Sequence, residues 1–427
     1  MAKKPGFLPH FFTMLSGATL AQVIPLLLLP VITRIYTPNE IGVFAAFLSI
    51  FVILASFMTA RYEYAILLPK RNVDAEQLFY LGMGSALATT LLTAILLLLW
   101  APELARLAGS PAYASWLYLI PVSMFFYSIF LMGSYYLTRY KDFGGIAVSK
   151  VVQATSMSST QVGLGWMGAG SMGMVVGKVL GDMFHSLVIL WRLRTLQQAF
   201  RAGVSFRHMR VLALKYRNFP LYNTPHAFFN TTSNNVSVLV YNRYFSEAAT
   251  GYYALAVRFT FGPVHLITRA LAQVFSKEIT DIFHREEAIY PFFRKTVYSM
   301  ALYGVVPFFL LWMAAPELFA WLLGTEYRAT GVLVRMILPW VFVVYLTSPV
   351  TFIPILLQRQ RKAMLIDFFY MVLRFAGLYA GVRAQSMEMA VVIYSVLGVV
   401  VQTYLLLWIR KLTIEADNVG MGKNLPQ

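Results

Sequence analysis

The sequence predicts an all-α polytopic membrane protein of about twelve transmembrane helices, arranged as two pseudo-symmetric six-helix lobes around a central cationic cavity. Hydrophobic residues make up 59% of the 427 residues and charged residues 12%, whereas soluble domains hold roughly 45–50% and about 25%. Apolar segments close to the ~20 residues that span a bilayer recur along the whole chain. In addition, motifs of the first half return in the second half.

The duplicated motifs divide the chain into two related halves. Gly42 and Gly251 lie 209 residues apart in matching contexts, and the tetrapeptide APEL occurs at 101–104 and again at 315–318. Further pairs keep the same order: Arg34 with Arg243, Thr37 with Ser246, Ala45 with Ala254, Pro121 with Pro339, and Arg139 with Arg359. Repeats of this length indicate a duplicated helix bundle rather than a solenoid. We therefore expect an N-terminal lobe with a cytoplasmic linker at 1–217 and a C-terminal lobe at 218–427.

Each apolar segment is expected to be a helix, because an isolated segment in lipid must satisfy its own backbone polar groups. The fifth, seventh and eighth segments are the least uniformly apolar. The twelve predicted spans are 11–32, 41–60, 78–100, 114–137, 146–166, 169–190, 220–241, 250–275, 297–314, 330–356, 363–382 and 390–409.

The distribution of lysine and arginine predicts the orientation of these spans. Odd-numbered gaps between the spans hold five cations, whereas the termini and even-numbered gaps hold 23. Cytoplasmic loops carry the excess of positive charge, so both termini are predicted to be cytoplasmic. The first apolar run, of about 22 residues, is too long for the core of a cleaved signal peptide and predicts an uncleaved span.

Several classes of function are excluded by composition and spacing. The formal net charge of +17 is spread along the chain without the pattern of a nucleic-acid-binding module, so no nucleic-acid partner is expected. The chain has no cysteine, which excludes disulfides, thiolate metal sites and cysteine nucleophiles. The six histidines are scattered and no catalytic set is recognisable. We therefore expect no enzyme, no catalytic residue, no metal site and no bound cofactor.

Charged residues within the predicted spans are the candidate functional residues, since such charges are costly and usually face a watery path or a partner. The cations in or at the edge of spans are Arg61, Lys150, Lys178, Arg258, Arg269, Arg335 and Arg374, and the acids are Glu63, Asp182 and Asp367. Lys178 and Asp182 are four residues apart on one helix, so mutual neutralisation is the favoured interpretation. Arg61 and Glu63 could equally reach the lipid headgroups.

The remaining cations predict an anion-binding cavity. Arg258 and Arg269 are eleven residues apart, which places both on one side of a helix about 16 Å apart along its axis. Lys150, Arg335 and Arg374 have no evident acidic partner in the sequence. The excess of positive charge would attract an anion, above all a phosphate, which arginine binds well.

Polar residues on the seventh span give a second candidate surface. Asn223, Asn230 and Asn234 fall on one helical face, with His226 at its edge. Amides could donate hydrogen bonds to sugar hydroxyls, but amides also hold transmembrane helices together. Both interpretations stay open for these residues.

The opening stretch carries a family resemblance. The run LSGATLAQVIPLLLLPVITRIYTPNEIGVFAAF, followed by RYEYAILLPK at 61–70, resembles the Wzx-type O-antigen and polysaccharide flippases. These belong to the multidrug/oligosaccharidyl-lipid/polysaccharide exporter superfamily. The resemblance implies a V-shaped pair of six-helix lobes. It also implies transport of an undecaprenyl-diphosphate-linked oligosaccharide from the cytoplasmic to the periplasmic leaflet of a bacterial inner membrane.

The expected mechanism is an alternating-access cycle, in which the charged and polar residues named here are the candidates; of these, Arg34, Arg61 and Glu63 lie in the stretch that carries the resemblance. The expected substrate-binding cations are Arg34, Arg61, Lys150, Arg258, Arg269, Arg335 and Arg374. Sugar contacts are expected from Asn223, Asn230 and Asn234, and coupling to H⁺ or Na⁺ from Glu63, Asp182 or Asp367. Such a flippase would work in membrane lipid, beside a polysaccharide polymerase and a chain-length regulator.

Three alternatives stay open at this point. A multidrug exporter of the same superfamily is expected to carry acids in its cavity. A flippase for a peptidoglycan-precursor lipid shares the diphosphate and cannot be distinguished by charge. A membrane polymerase or glycosyltransferase would need a sizeable extramembrane domain or loop with catalytic acids, and the sequence shows none.

Overall fold

All regular structure that the computed structural model describes, in residues 21, 23–108, 114–195 and 203–419, is helical. The predicted all-α fold class is therefore confirmed. The helices are α1 (Val23–Ile35), α2 (Pro38–Ala55), α3 (Tyr62–Ala65), α4 (Asn72–Ala108), α5 (Ala114–Leu117), α6 (Leu119–Arg139), α7 (Phe143–Trp166), α8 (Gly170–Thr195), α9 (Phe206–Lys215), α10 (Thr224–Tyr244), α11 (Glu247–His284), α12 (Tyr290–Leu323), α13 (Arg328–Thr347), α14 (Ile353–Leu356), α15 (Gln360–Arg383) and α16 (Met387–Val419).

Eight stretches of the described chain are long and apolar enough to cross a membrane. This confirms a multi-pass membrane protein, while the predicted count of twelve spans is not confirmed. The predicted spans that fall short correspond to α1, α7, α10 and α11. For α1 the cause is length, since residues 11–20 of that span lie outside the described residues. For α7, α10 and α11 the cause is polar composition. These helices correspond to the fifth, seventh and eighth predicted spans, whose apolar character is poorest.

The chain divides into two compact units, Met1–Gly251 and Tyr252–Gln427. Helix α10 belongs to the first unit, because it packs against α2. The predicted lobes, 1–217 and 218–427, are defined by the duplication in the sequence and not by compactness. The boundary between residues 217 and 218 stays a prediction.

In the first unit α7 and α8 pack closely along a face of small residues. A methyl group added to Gly177 would lie 2.6 Å from the Cγ atom of Gln161, and one added to Gly181 would lie 2.9 Å from the Cβ atom of Met157. Neither glycine can gain a side chain without displacing its neighbour. Glycines spaced by four residues thus form a close-packing face between these two helices.

The corner between α1 and α2 is fixed onto α7 by Tyr36. Its hydroxyl donates a 2.6 Å hydrogen bond to the carbonyl oxygen of Gln161, and the residue is buried. Burial and the charge of Glu40 raise the pKa of Tyr36 to about 12. The hydroxyl therefore remains a donor at any physiological pH.

In the second unit α12 and α13 cross at a proline. Pro316 lies inside α12, and a methyl group added to Gly331 of α13 would overlap the carbonyl oxygen of Ala315 and approach the Cα atom of Pro316 to 2.5 Å. Since glycine brings the two backbones together there, side chains on either side of the crossing can reach backbone atoms of the other helix.

Candidate functional site

A cavity of about 330 Å³ lies in the first unit between the α3 corner and the start of α10. Its volume is at the lower end of the range typical of small-molecule sites, roughly 300–1,000 Å³. The residues that line it are Arg61, Tyr64, Asn223, His226, Ala227, Asn230 and Thr231. Three of the predicted site residues, Arg61, Asn223 and Asn230, are therefore brought together here.

Arg61 enters the cavity from an unusual backbone conformation. Ala60 and Arg61 are both left-handed, with φ of 49° and 61°. For residues other than glycine this conformation costs roughly 1–3 kcal/mol each and persists only where the surrounding structure enforces it. The turn therefore needs firm anchors on both sides.

Those anchors are hydrogen bonds and buried side chains. The carbonyl oxygen of Met58 accepts hydrogen bonds from the hydroxyls of Ser85 (3.2 Å) and Thr89 (3.0 Å) on α4. On the other side of the turn, Tyr62 and Ala65 are buried in a core cluster with residues of α4 and α6. The backbone of Arg61 is thereby held between two fixed points.

The guanidinium of Arg61 is paired with a buried carboxylate. Glu63 is 1% exposed, accepts a 2.5 Å hydrogen bond from the Thr59 hydroxyl, and pairs with Arg61 Nη1 at 3.4 Å. The Arg61 side chain keeps 21% of its surface exposed and lies 5.7 Å from the centroid of the Tyr64 ring. Arg61 thus has one side towards Glu63 and another towards the cavity.

The opposite wall is one face of the seventh predicted span. A π-helical turn at Phe219–Asn223 precedes α10, with Pro220 and Pro225 at the starts of the two segments. Proline lacks a donor N–H, and wide turns of this kind occur frequently at functional sites. Residues 223, 226, 227, 230 and 231 then follow the three- and four-residue spacing of a helical face.

Asn234 continues this face beyond the cavity. Its side-chain amide donates a 2.9 Å hydrogen bond to the Asn230 side-chain oxygen, and it is not among the residues that line the cavity. Asn230 therefore has one partner on its own helix, and its amide group retains the capacity to donate. Contact with its own helix and contact with a ligand are therefore compatible for Asn230.

The lining favours an anion bearing hydroxyl groups. It presents a guanidinium, an imidazole, two amides and two hydroxyls, and no carboxylate among the described residues that line it. The nearby carboxylate of Glu63 is buried and paired. Arginine forms strong, directional hydrogen bonds to phosphate, while amides can both donate to and accept from hydroxyls.

Other predicted cations lie outside this cavity. Arg34 is exposed at the end of α1, and Lys150 is half-buried on α7. On α11, Arg258 is half-buried and Arg269 is exposed. Their substrate-binding roles stay predictions.

Arg335 is bound to the backbone at the proline crossing. Its Nε and Nη2 atoms donate to the carbonyl oxygens of Trp312 (3.0 Å) and Met313 (2.9 Å). Pro316 has no N–H to offer the carbonyl four residues earlier, which is that of Trp312. Arg335 therefore replaces a helix hydrogen bond that the proline removes, in addition to any role in binding substrate.

We expect Arg335→Ala to lower the free energy of unfolding by about 1–3 kcal/mol, because it leaves the Trp312 carbonyl, which Pro316 cannot serve, without a donor. Denaturation with SDS in mixed micelles measures this loss. In a Pro316→Ala background the helix regains its own donor, so the same substitution should cost less. An equal loss in both backgrounds would contradict the capping role.

Arg374 lies in an aromatic cage within the second unit. Its guanidinium carbon is 4.0 Å from the ring centroid of Tyr370, 5.1 Å from that of Tyr394 and 5.3 Å from that of Trp340. It also donates a 2.9 Å hydrogen bond to the Tyr370 hydroxyl. Cation–π contacts of this kind stabilise a desolvated guanidinium, so aromatic faces supply the partner that the sequence did not reveal.

Two of the three candidate coupling acids are buried. Glu63 pairs with Arg61, and Asp182 accepts hydrogen bonds from Ser123, from Lys178 and, at 2.8 Å, from Gln153. The ion pair expected between Lys178 and Asp182 is present. Asp367 is exposed on α15. The role of each acid in ion coupling stays a prediction.

The sequence predicts only part of the cavity wall. It does not indicate Tyr64 or Thr231, and it places His226 only at the edge of the polar face. The helical spacing from Asn223 and Asn230 already selects 226, 227 and 231, so that signal was available. The approach of Tyr64 to α10 depends on the tertiary fold and has no signal in the sequence.

Comparisons with known proteins give a family and a fold. Residues 31–331 match the family model described as polysaccharide biosynthesis protein. No protein of curated function matches the sequence. An inward-facing multidrug resistance MATE family transporter of the MOP superfamily has a similar structure, with a TM-score of 0.72, 13% identity, and coverage of 93% of this chain and 96% of that chain.

Two further transporters are similar in fold. The lipid II flippase MurJ in its inward closed conformation has a TM-score of 0.70 at 11% identity, covering 96% of this chain and 90% of that chain. A MOP superfamily transporter from Pyrococcus furiosus, described as having a binding pocket of reverse polarity, has a TM-score of 0.57 at 12% identity, with 95% of both chains covered. At such low identity the likeness shows the fold of these transporters and not their substrates.

Proposed function

The chain belongs to the polysaccharide biosynthesis protein family, and we propose that it is the flippase for a lipid-linked oligosaccharide. That membership confirms the family predicted from the first seventy residues. The proposed substrate is an undecaprenyl-diphosphate-linked oligosaccharide, an O-antigen or related repeat unit. The proposed movement is from the cytoplasmic to the periplasmic leaflet of a bacterial inner membrane, with both termini of the chain in the cytoplasm.

The observation that carries this proposal is the composition of the cavity wall. Arg61 supplies a fixed positive charge, while Asn223, Asn230 and Thr231 supply groups that bind hydroxyls. A sugar diphosphate presents both chemistries next to each other. The lipid tail needs no pocket, because it can remain in the bilayer.

The proposed cycle is alternating access. The substrate diphosphate binds at Arg61 when the cavity is open to the cytoplasm, and the sugars contact the α10 face. Coupling to H⁺ or Na⁺ through Glu63, Asp182 or Asp367 would drive the return of the protein to the state in which the cavity is open to the cytoplasm. A polysaccharide polymerase and a chain-length regulator are the expected partners on the periplasmic side.

A negative charge introduced into the cavity tests whether the ligand that binds there is itself negatively charged. Asn230→Asp is nearly isosteric and keeps the acceptor that Asn234 uses, so the local structure should persist. We expect it to reduce transport of undecaprenyl-diphosphate-linked oligosaccharide in proteoliposomes by more than 10-fold, because a carboxylate repels phosphate. Asn230→Ala, which removes about one neutral hydrogen bond, should cost only about 2- to 10-fold.

The same pair of variants addresses the multidrug-exporter alternative. A cavity that binds organic cations would gain from Asn230→Asp, so increased drug resistance in cells carrying this variant would favour the exporter. A peptidoglycan-precursor flippase remains chemically close, because lipid II also carries a diphosphate. Direct competition between lipid II and the O-antigen precursor in the proteoliposome assay separates these two substrates.

A further inference from the structure

A short helix with an uncovered apolar face lies in the linker predicted at the end of the N-terminal lobe. Helix α9 has ten residues, about half of the ~20 that cross a bilayer. Phe206 is nevertheless 81% exposed and Leu214 63% exposed, and Val204 and Val211 are exposed as well. A cluster of exposed apolar side chains on a segment that does not span the membrane marks a surface that binds something.

Basic residues share this outward face. Residues 203–219 hold four cations and no acid, and Arg207, Arg210 and Lys215 of α9 are exposed. At 100° per residue these cations alternate around the helix with Phe206 and Leu214. Long basic side chains can place their stems along an apolar surface and their charges above it. The face therefore fits a partner that is apolar below and anionic above, which describes the headgroup region of a bilayer.

Hydrogen bonds to α4 fix which face of α9 points outwards. The side-chain amide of Gln77 donates to the carbonyl oxygen of Gly203 at 2.6 Å, and its oxygen accepts from the N–H of Ser205 at 2.9 Å. His208 Nε2 lies 3.0 Å from Asp74 Oδ1. Helix α9 is thus held with His208 towards α4, and the apolar and basic residues occupy the opposite side.

The packing of α9 also places it at the depth of a membrane interface. Leu212 is buried in the same core cluster as Leu193, near the end of α8. Trp191, two residues before Leu193, is exposed, and Arg192 and Arg194 follow it. Tryptophan is enriched where a span meets the headgroups, and cations flank the cytoplasmic ends of spans. In the predicted topology this end of α8 lies at the cytoplasmic leaflet.

We propose that α9 is a docking helix for the anionic lipid headgroups of the cytoplasmic leaflet. Phe206, Leu214 and the two exposed valines enter the boundary of the acyl chains, where their apolar surface is removed from water. Arg207, Arg210 and Lys215 bind the headgroup phosphates, since each cation close to an anionic membrane surface gains favourable energy. None of these residues lines the cavity near Arg61, so the proposal is independent of the transported substrate.

Quenching by brominated lipids tests whether α9 contacts anionic lipid. The chain has no cysteine, so Leu214→Cys carries a bimane label on α9 without background. The full-length protein is reconstituted in phosphatidylcholine vesicles that contain brominated phosphatidylglycerol or brominated phosphatidylcholine at the same mole fraction. We expect brominated phosphatidylglycerol to quench this label about 3-fold more strongly, because the cations of α9 enrich it locally.

A label on another exposed loop is the control. Ala288→Cys lies between α11 and α12 and is exposed. The nearby Arg285 pairs with Glu278 and Glu287, so this loop offers no excess of cations. We expect the label at 288 to be quenched equally by the two brominated lipids.

Two results at position 214 would overturn the proposal. Equal quenching by both lipids would show that α9 has no preference for anionic headgroups. Absence of quenching by either lipid would place α9 in water, and a cytoplasmic protein would then be the occupant of this face. Because Leu214 is exposed, the labelled cysteine replaces no core residue, and both results can be read without further substitutions.

Removal of the cations tests their part in the preference. In the labelled Leu214→Cys background, Arg207→Gln/Arg210→Gln/Lys215→Gln should lower the quenching ratio from about 3 to about 1, because the attraction of each cation for the surface is lost. If this variant does not assemble, about 1 M NaCl applied to the labelled parent gives the comparison, since salt at that concentration screens exposed charges. A ratio that stays at about 3 after removal or screening of the charges contradicts the proposal.

A second triple variant controls for the net charge of the protein. Lys277→Gln/Arg294→Gln/Lys295→Gln removes the same number of exposed cations from α11 and α12. The quenching ratio at 214 should remain about 3 in this variant, because the cations of α9 are intact. An equal fall of the ratio in both triple variants would show that overall charge attracts the lipid, and α9 would not be the docking site.

Discussion

Arg61→Ala is expected to reduce transport of undecaprenyl-diphosphate-linked oligosaccharide by about 10- to 100-fold while the protein still accumulates in the membrane. A hydrogen bond to a charged group contributes about 1.5–3 kcal/mol, and each 1.4 kcal/mol is tenfold in affinity. Arg61 supplies the guanidinium among the residues that line the cavity. Uptake of a labelled substrate lipid into the protected leaflet of proteoliposomes measures the loss.

Removal of Arg61 also leaves Glu63 buried without its cation, so a structural effect must be separated from a binding effect. Glu63 is 1% exposed, and its Oε1 atom lies 3.4 Å from Nη1 of Arg61. In the double variant Arg61→Ala/Glu63→Gln the buried charge is absent. If Arg61 binds substrate, the double variant should remain as defective as the single one, whereas Glu63→Gln alone, the control for Glu63 as a coupling acid, should be less defective. Recovery of transport in the double variant would show that Arg61 merely neutralises Glu63.

Lys178→Met is expected to destabilise the first unit by about 3–5 kcal/mol, the usual cost of leaving a buried charge without its partner. Asp182 is fully buried, and Lys178 supplies its cationic partner. The lysine ammonium also lies 4.0 Å from the centroid of the Phe51 ring, so its surroundings are largely apolar. SDS denaturation in mixed micelles measures the change.

The matched control is the double variant Lys178→Met/Asp182→Asn. Replacing both charges removes the desolvation problem, while an asparagine oxygen can still accept from Ser123 and Gln153. We expect most of the lost stability to return. A single variant as stable as the parent would mean that water reaches Asp182, and that acid would then become the stronger candidate for coupling to an external cation.

The sequence predicts the fold better than it predicts the partners of its charges. Spacing along one helix is enough to anticipate the Lys178–Asp182 pair, because residues four apart are neighbours on a helix. Arg335 and Arg374 have no acid nearby in sequence, and that suggested a cavity. In the structure Arg335 binds two carbonyl groups, and Arg374 lies among aromatic rings.

These partners escape prediction for a physical reason. A carbonyl group becomes available only where a proline on a crossing helix has removed its donor, as Pro316 does. The aromatic cage combines Tyr370, four residues before Arg374 on α15, with rings from α13 and α16 that only the tertiary fold brings to it. Arginine accepts both kinds of partner, so the absence of an acid does not by itself indicate an open cavity.

The repeats show a second limit. Their spacing pairs Gly42 with Gly251 as equivalent residues, but it does not predict that the backbones of these two residues are in contact.

The most direct test of the proposed function is flipping by the purified protein in proteoliposomes. A fluorescent undecaprenyl-diphosphate-linked oligosaccharide would be added to both leaflets, and a membrane-impermeant quencher would report the fraction that remains accessible. We expect the parent protein to redistribute the lipid and the Arg61→Ala variant to do so at least 10-fold more slowly. Equal redistribution in parent, variant and protein-free vesicles would contradict the flippase assignment.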